Sequence, residues 1–310
     1  MKNKKIVVTG GAGFIGSNTV IELMKNNQVT VIDNLSTGKL KNIDDIEFIK
    51  GDITDINILK NAFKDSDYII HLAAISSIEQ TIKDPKKSNE INITGTLNVL
   101  SEARDANAKR VVFASSASIY GNTTQLPIKE TIPINPLTPY AISKLTGEYY
   151  GKSFYELYGL ETVSLRFFNV FGPRQKLNSA YSAVIPKFIN AMLKDKIPTI
   201  YGDGEQSRDF IYVQDVVTAI IKSTTAPKAP GKSINIATGK GTTLNELVNN
   251  INSNLGKTIK PLYADKKQGD IKFSLADISL AKKVLDFAPE YTLNKGIEKT
   301  IEWFKNNNRC

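Results

Sequence analysis

At 310 residues the chain is long enough for one large domain or two smaller ones around a sizeable buried core. One cysteine (Cys310) and one histidine (His71) exclude a disulfide framework, zinc clusters and most His-based triads, so no metal is expected, and no apolar run approaches the roughly 20 residues of a membrane span. The net charge of +9 comes from scattered lysines, without a basic block interleaved with aromatics, and reads as a solvated surface that would suit a phosphorylated ligand and not nucleic acid.

The basic start, Met1 to Lys5, leads into an apolar run that stops at Val8, too short for a secretory signal, so the expected location is cytoplasmic. From there short β-branched runs alternate with amphipathic stretches, which predicts an α/β fold of Rossmann type with a doubly wound parallel sheet. Strands are predicted at Lys5 to Thr9, Gln28 to Ile32, Ile46 to Lys50, Tyr68 to Leu72, Arg110 to Ser115 and Thr162 to Phe167. The longest helical segments run from Asp84 to Ala106 and from Tyr140 to Tyr158. Toward the carboxyl end, loops carrying Pro173, Pro186, Pro198, Pro227 and Pro230 separate shorter helices, as in a smaller α/β substrate domain. Residues 1–170 are thus expected to form one domain and 171–310 mainly a second, with a strand at Ser233 to Ala237 returning to the main sheet.

Gly10, Gly13 and Gly16 follow the first strand and open the first helix, which is where glycine permits a tight turn and close approach of backbone to a pyrophosphate. Asp33 ends the second strand, about 20 residues further on, where a carboxylate grips the adenosine ribose and repels a 2′-phosphate. NAD is therefore the expected cofactor. Asp52, after the third strand, can hydrogen-bond the adenine amino group or cap its own loop.

Tyr140 and Lys144 stand at i, i+4 near the start of a helix written with Thr138 as cap and Pro139 in the first turn. A neighbouring ammonium and the helix end would lower the phenol's pKa and make Tyr140 a general base, while Lys144 holds the nicotinamide ribose. Taken alone, the pair reads more readily as an ordinary solvated one, and it is the rest of the chain that outweighs this. Ser115 and Ser116 close the fifth strand at the edge where such sheets carry their chemistry. His71, on a buried strand end, reads as structural.

Together, Thr9 to Gly16, Asp33-Asn34, Gly51-Asp52-Ile53, His71 to Ala74, Ser115 to Gly121, Tyr140 to Lys144, Arg166 to Arg174 and Arg208 to Asp215 resemble the extended short-chain dehydrogenase/reductase family. Within it the chain is most similar to the UDP-sugar 4-epimerases. The resemblance implies catalysis by Ser116, Tyr140 and Lys144, a UDP-sugar substrate and a homodimer. It implies NAD contacts from Phe14, Ile15, Asn34, Ile53, Leu72, Ala73, Ala74, Asn92 and Phe168 besides those above. Nucleotide contacts are implied for Asn169, Tyr201 and Arg208, whose guanidinium suits a pyrophosphate, and Ser118 lies beside the sugar.

Ala117 and Ser118 stand where 4,6-dehydratases of the family carry an Asp-Glu pair, which argues against dehydration, and Ser118 also argues against the uronate decarboxylases. An epimerase needs no group beyond the serine, tyrosine and lysine. A UDP-uronic acid enzyme and a non-catalytic dinucleotide sensor remain the alternatives. Two positions depart from many relatives. Lys267-Gln-Gly-Asp270 replaces an Arg-x-Gly-Asp motif, with Lys267 and Asp270 toward the substrate, and Ser274 stands at a pocket wall where a bulky residue would exclude N-acetyl sugars.

Overall fold

The computed structural model describes residues 1–176, 183–266 and 272–307. Six strands alternate with helices along the first half: β1 (Lys5–Thr9), β2 (Gln28–Asp33), β3 (Glu47–Lys50), β4 (Tyr68–His71), β5 (Arg110–Ser116) and β6 (Glu161–Phe167). Short strands follow as β7 (Asn169–Phe171), β8 (Thr199–Tyr201), β9 (Ser207–Arg208) and β10 (Phe210–Tyr212), then β11 (Lys232–Ile236), β12 (Thr242–Thr243) and β13 (Leu262–Ala264). The large sheet is parallel throughout, in the order β3-β2-β1-β4-β5-β6-β11. The late strand β11 does join this sheet, one residue earlier than its sequence pattern predicts.

The helices are α1 (Phe14–Met24), α2 (Ile56–Phe63), α3 (Ile78–Lys83), α4 (Pro85–Asn89), α5 (Gly95–Asp105), α6 (Pro139–Tyr158), α7 (Val184–Leu193), α8 (Val213–Thr225), α9 (Leu244–Leu255), α10 (Ser279–Leu285) and α11 (Leu293–Asn307). Both faces of the sheet are covered, which is why its central strands read as unbroken β-branched runs. Ile6, Val8 and Val31 pack with Val20 of α1 and Val216 and Ile220 of α8. The alternate residues Val7, Ile32 and Ile69 pack with Leu59 and Phe63 of α2, Val99 of α5 and Phe154 of α6. A separate core of Phe171, Phe188, Phe210, Leu247, Ile251, Ile297 and Phe304 holds the carboxyl-terminal helices together.

The predicted long helix from Asp84 to Ala106 widens to π geometry over Glu90–Thr94, between α4 and α5. The widening accompanies contacts distant in sequence: buried Asn92 turns toward the chain after β4, accepting from Ile75 N at 2.8 Å and donating to Ile75 O at 3.0 Å and Ser143 Oγ at 3.2 Å. Helix α6 begins as its sequence predicts, with Thr138 Oγ1 accepting from Ala141 N at 3.2 Å and Pro139 in the first turn, and ends on Gly159 at φ 71°.

Candidate functional site

The glycine turn crosses the carboxyl end of the sheet between β1 and α1. Gly10 adopts φ 72°, and a Cβ there would lie 2.6 Å from the backbone nitrogen of Ala73. A Cβ on Gly16 would strike the carbonyl oxygen of Gly10. The motif is therefore demanded by backbone proximity, and it leaves a cradle that side chains would fill. Gly13 caps α1 without a side-chain hydrogen bond. Leu72, Ala73 and Ala74 face this turn from the end of β4, with Leu72 N bonded to Thr9 O at 3.0 Å.

Asp33 lies at the end of β2, accepting from Ala12 N at 3.0 Å and Leu35 N at 2.8 Å, so the carboxylate that faces the cradle also ties it down. Burial raises its pKa against those two bonds, which pull it down. Asn34 donates to Asp52 at 2.6 Å, and the other Asp52 oxygen accepts from the Thr54 amide and hydroxyl. The loop-capping role weighed for Asp52 is thus realised, with one side of its carboxyl turned to Asn34. Ile53 is buried against Gly95 of α5, and Phe168 against Tyr120. A glycine cradle that a Cβ would fill, beside a strand-end carboxylate, fits a dinucleotide such as NAD.

On the other side of this cradle, Ser116 ends β5 beside Tyr140, the second residue of α6, its hydroxyl near enough to the phenol to favour the charged form. The Ser116 oxygen also accepts from Ser118 N at 3.1 Å, while the buried Ser118 hydroxyl has no partner within the described residues. Lys144 is 4% exposed, with its ammonium 4.9 Å from the Phe113 ring centre and 5.8 Å from that of Tyr140. The solvated-pair reading of Tyr140 and Lys144 therefore fails. Gly147, one turn further on, allows this closeness, since a Cβ there would enter the Phe113 ring.

One expectation is corrected. Tyr140's pKa is raised, because desolvation of the phenol outweighs the nearby Ser116 hydroxyl, which lowers it. Burial equally pulls Lys144 down to about 8. The same desolvation thus brings the two groups' charged forms under strain, and the lysine does not by itself make a phenolate. His71 is fully buried between Thr9 Oγ1 at 2.7 Å and Thr96 Oγ1 at 3.0 Å, and burial lowers its pKa to about 3, so it stays a neutral structural link.

Beyond β6 a cavity of about 270 Å³ opens, lined by Asn169, Phe171, Ile185, Gln206, Arg208 and Leu244, among others. Asn169 and Arg208 are brought together here as expected. Tyr201 adjoins through its carbonyl, which accepts from Gln206 Nε2 at 2.6 Å. Ser274 runs beside β9, its amide bonded to Ser207 O at 3.1 Å. Lys267 and Asp270 lie outside the described residues.

Sequence reading passed over Gln206, Ile185 and Leu244, which carry no reactive group. It also passed over Asp209. This fully buried carboxylate accepts from Thr238 N, Gly239 N and Ala276 N, and from the Thr238 hydroxyl, fastening the strand that carries Arg208 to two other segments. Its place within the Arg208 to Asp215 motif was the available signal.

Residues 6–237 match the model of the NAD dependent epimerase/dehydratase family. The chain is similar to the structure of a UDP-N-acetylglucosamine 4-epimerase from Methanobrevibacter ruminantium M1 in complex with UDP-N-acetylmuramic acid, at 45% identity and a TM-score of 0.95, covering 99% of both chains. A UDP-glucose 4-epimerase from Thermotoga maritima, solved with UDP-glucose, is 35% identical with a TM-score of 0.94, over 98% of this chain and 100% of that one. The UDP-glucose 4-epimerase of Mycolicibacterium smegmatis is 35% identical over 98% of this chain and 100% of its own. With the glycine cradle, the strand-end aspartate and the Ser116–Tyr140–Lys144 cluster already in place, these matches establish that the chain belongs to the NAD-dependent epimerase/dehydratase family.

Proposed function

We propose that this chain inverts the 4-hydroxyl of a UDP-hexose, with Ser116, Tyr140 and Lys144 as its catalytic residues. The observation that carries this assignment is the gathering of Ser116, Tyr140 and Lys144 at the end of β5 beside the glycine cradle, with Lys144 buried and its ammonium 5.8 Å from the Tyr140 ring centre. NAD supplies the chemistry of oxidation and return at the sugar C4. Tyr140 takes the proton of the 4-hydroxyl as its phenolate, a form that the bound ligands must favour over the buried phenol, and Ser116 shares that proton. Lys144 orients the nicotinamide ribose. The resulting 4-keto sugar turns over before the proton comes back from Tyr140, so product and substrate differ only at C4.

Turning requires a firm hold on UDP and a loose hold on the hexose. Arg208 and Asn169 in the lined cavity supply the first. Small side chains, Ser118 and Ser274, supply the second and leave room for a 2-acetamido group, in keeping with a neighbour solved with UDP-N-acetylmuramic acid. UDP-N-acetylglucosamine is accepted along with UDP-glucose. The chain works as a homodimer, for which exposed Ile142 and Tyr149 on α6 provide an apolar face.

Proton NMR of the protein with each of the two sugars and added NAD tests the reading. The expected result is the matching galacto epimer from both, without net NADH. Turnover of UDP-glucuronate alone would move the assignment to the uronic acids, and retention of full activity in Tyr140→Phe would overturn the catalytic assignment.

A further inference from the structure

Behind the reactive groups lies a buried ion pair that the chemistry above does not use. Glu148 stands eight residues beyond Tyr140 on α6, so Tyr140, Lys144 and Glu148 share one face of the helix. Glu148 is 4% exposed, and so is Arg166 of β6. Arg166 Nη2 donates to Glu148 Oε2 at 2.7 Å and its Nε to Oε1 at 3.0 Å. Ser233 of β11 donates to the same carboxylate at 2.8 Å. Its last partner is the hydroxyl of Ser115, the residue before Ser116.

Arg166 in turn reaches the Tyr120 hydroxyl at 2.8 Å, and Tyr120 donates to Asn235 Oδ1 at 2.6 Å. Every polar group of the pair is thus engaged, across β5, β6, β11 and α6. A buried ion pair is a costly way to gain stability, because apolar side chains of similar volume hold a core equally well. Its distinctive property is direction. Apolar faces of a helix and a sheet can slide by a fraction of a turn at little cost, whereas a carboxylate fixed by a guanidinium and two hydroxyls has one register.

We propose that Glu148, clamped by Arg166, is a positioning residue that sets α6 against β5 through Ser115 and so fixes the Tyr140–Ser116 contact. The two helix-to-strand contacts involve consecutive strand residues: Tyr140 meets Ser116, and Glu148 meets Ser115. A shift of the helix along the strand breaks both together. This inference rests on the catalytic assignment of Tyr140 and Ser116.

Replacing Glu148 strands a buried guanidinium and endangers folding, so the informative variant is Ser115→Ala, which leaves the ion pair whole. Its kcat is expected to fall on the order of tenfold, the scale set by small misplacements of reacting groups. The KM for the UDP-sugar, the affinity for UDP and the melting temperature stay near the parent's. Unchanged kcat in Ser115→Ala, or a rise in KM that accounts for the whole loss, overturns the proposal. Tyr140→Phe measured in parallel separates the two claims: if it keeps its activity the catalytic assignment fails, and if it alone loses activity only the positioning role fails.

Discussion

The glycine cradle and the cavity beyond β6 are built on different physical terms. The cradle is mostly backbone: a positive-φ glycine, two close passes of main chain, and one carboxylate that ties down the loop it faces. Its strands are buried on both faces and its shape is set before any ligand arrives. The cavity is mostly side chain, gathered from Asn169, Ile185, Gln206, Arg208 and Leu244 on strands of two or three residues and on helix ends. One region tolerates almost no atom more; the other is defined by which atoms happen to project into it.

That contrast is broken most sharply by Gly10→Ala. A methyl at φ 72° and 2.6 Å from Ala73 N has to open the turn between β1 and β4. Stability is expected to fall by about 2 kcal/mol or more, with NAD affinity falling further, while isothermal titration still reports UDP binding. Equal loss of both ligands would show that the two regions are not separable.

Arg208→Lys probes the other side with a smaller effect. The ammonium keeps the charge and loses the fork, so affinity for UDP should drop by about tenfold, with NAD affinity and melting temperature unmoved. A tenfold loss that appears in kcat at constant KM would instead place Arg208 in the chemistry.

The same contrast decides what was legible in the sequence. Constraints on the backbone are contiguous, so Gly10 to Gly16, Asp33 and Thr138-Pro139-Tyr140 could be read directly as turn, strand-end carboxylate and helix start. Strand β11 was also legible, within a residue, from its β-branched run. The π segment at Glu90–Thr94 was not, because it accompanies Asn92 bonding to Ile75 across the fold, and no local pattern encodes that. Ile185 and Leu244 were invisible as cavity walls for the same reason: their role is a matter of what the fold places opposite them. The sign of Tyr140's shift was misread because spacing shows that a lysine is near and cannot show how much water has been removed from both groups.

That removal of water makes a final, smaller effect measurable at Lys144. Burial lowers its ammonium from 10.5 to about 8, which means that the folded chain holds the charged form less willingly than the unfolded chain does. Below pH 8 both states are protonated and the folded state carries the full cost. Between 8 and 10.5 the unfolded chain keeps a proton that the folded one has released, so this group's contribution to stability rises with pH, and above 10.5 the cost is gone. Lys144→Met, close in length and apolar, removes the burden at the start. It should melt about 5 °C higher at pH 7, with the advantage shrinking toward pH 10.5, while epimerisation falls steeply. Calorimetry across that range reads the sign directly. A variant that melts lower than the parent at pH 7 would mean that the Phe113 and Tyr140 rings hold the ammonium more strongly than burial opposes it. Lys144 would then belong with the satisfied groups of the cradle. If it melts higher, the lysine is kept at a cost to the fold, as expected of a residue retained for what it does beside Tyr140.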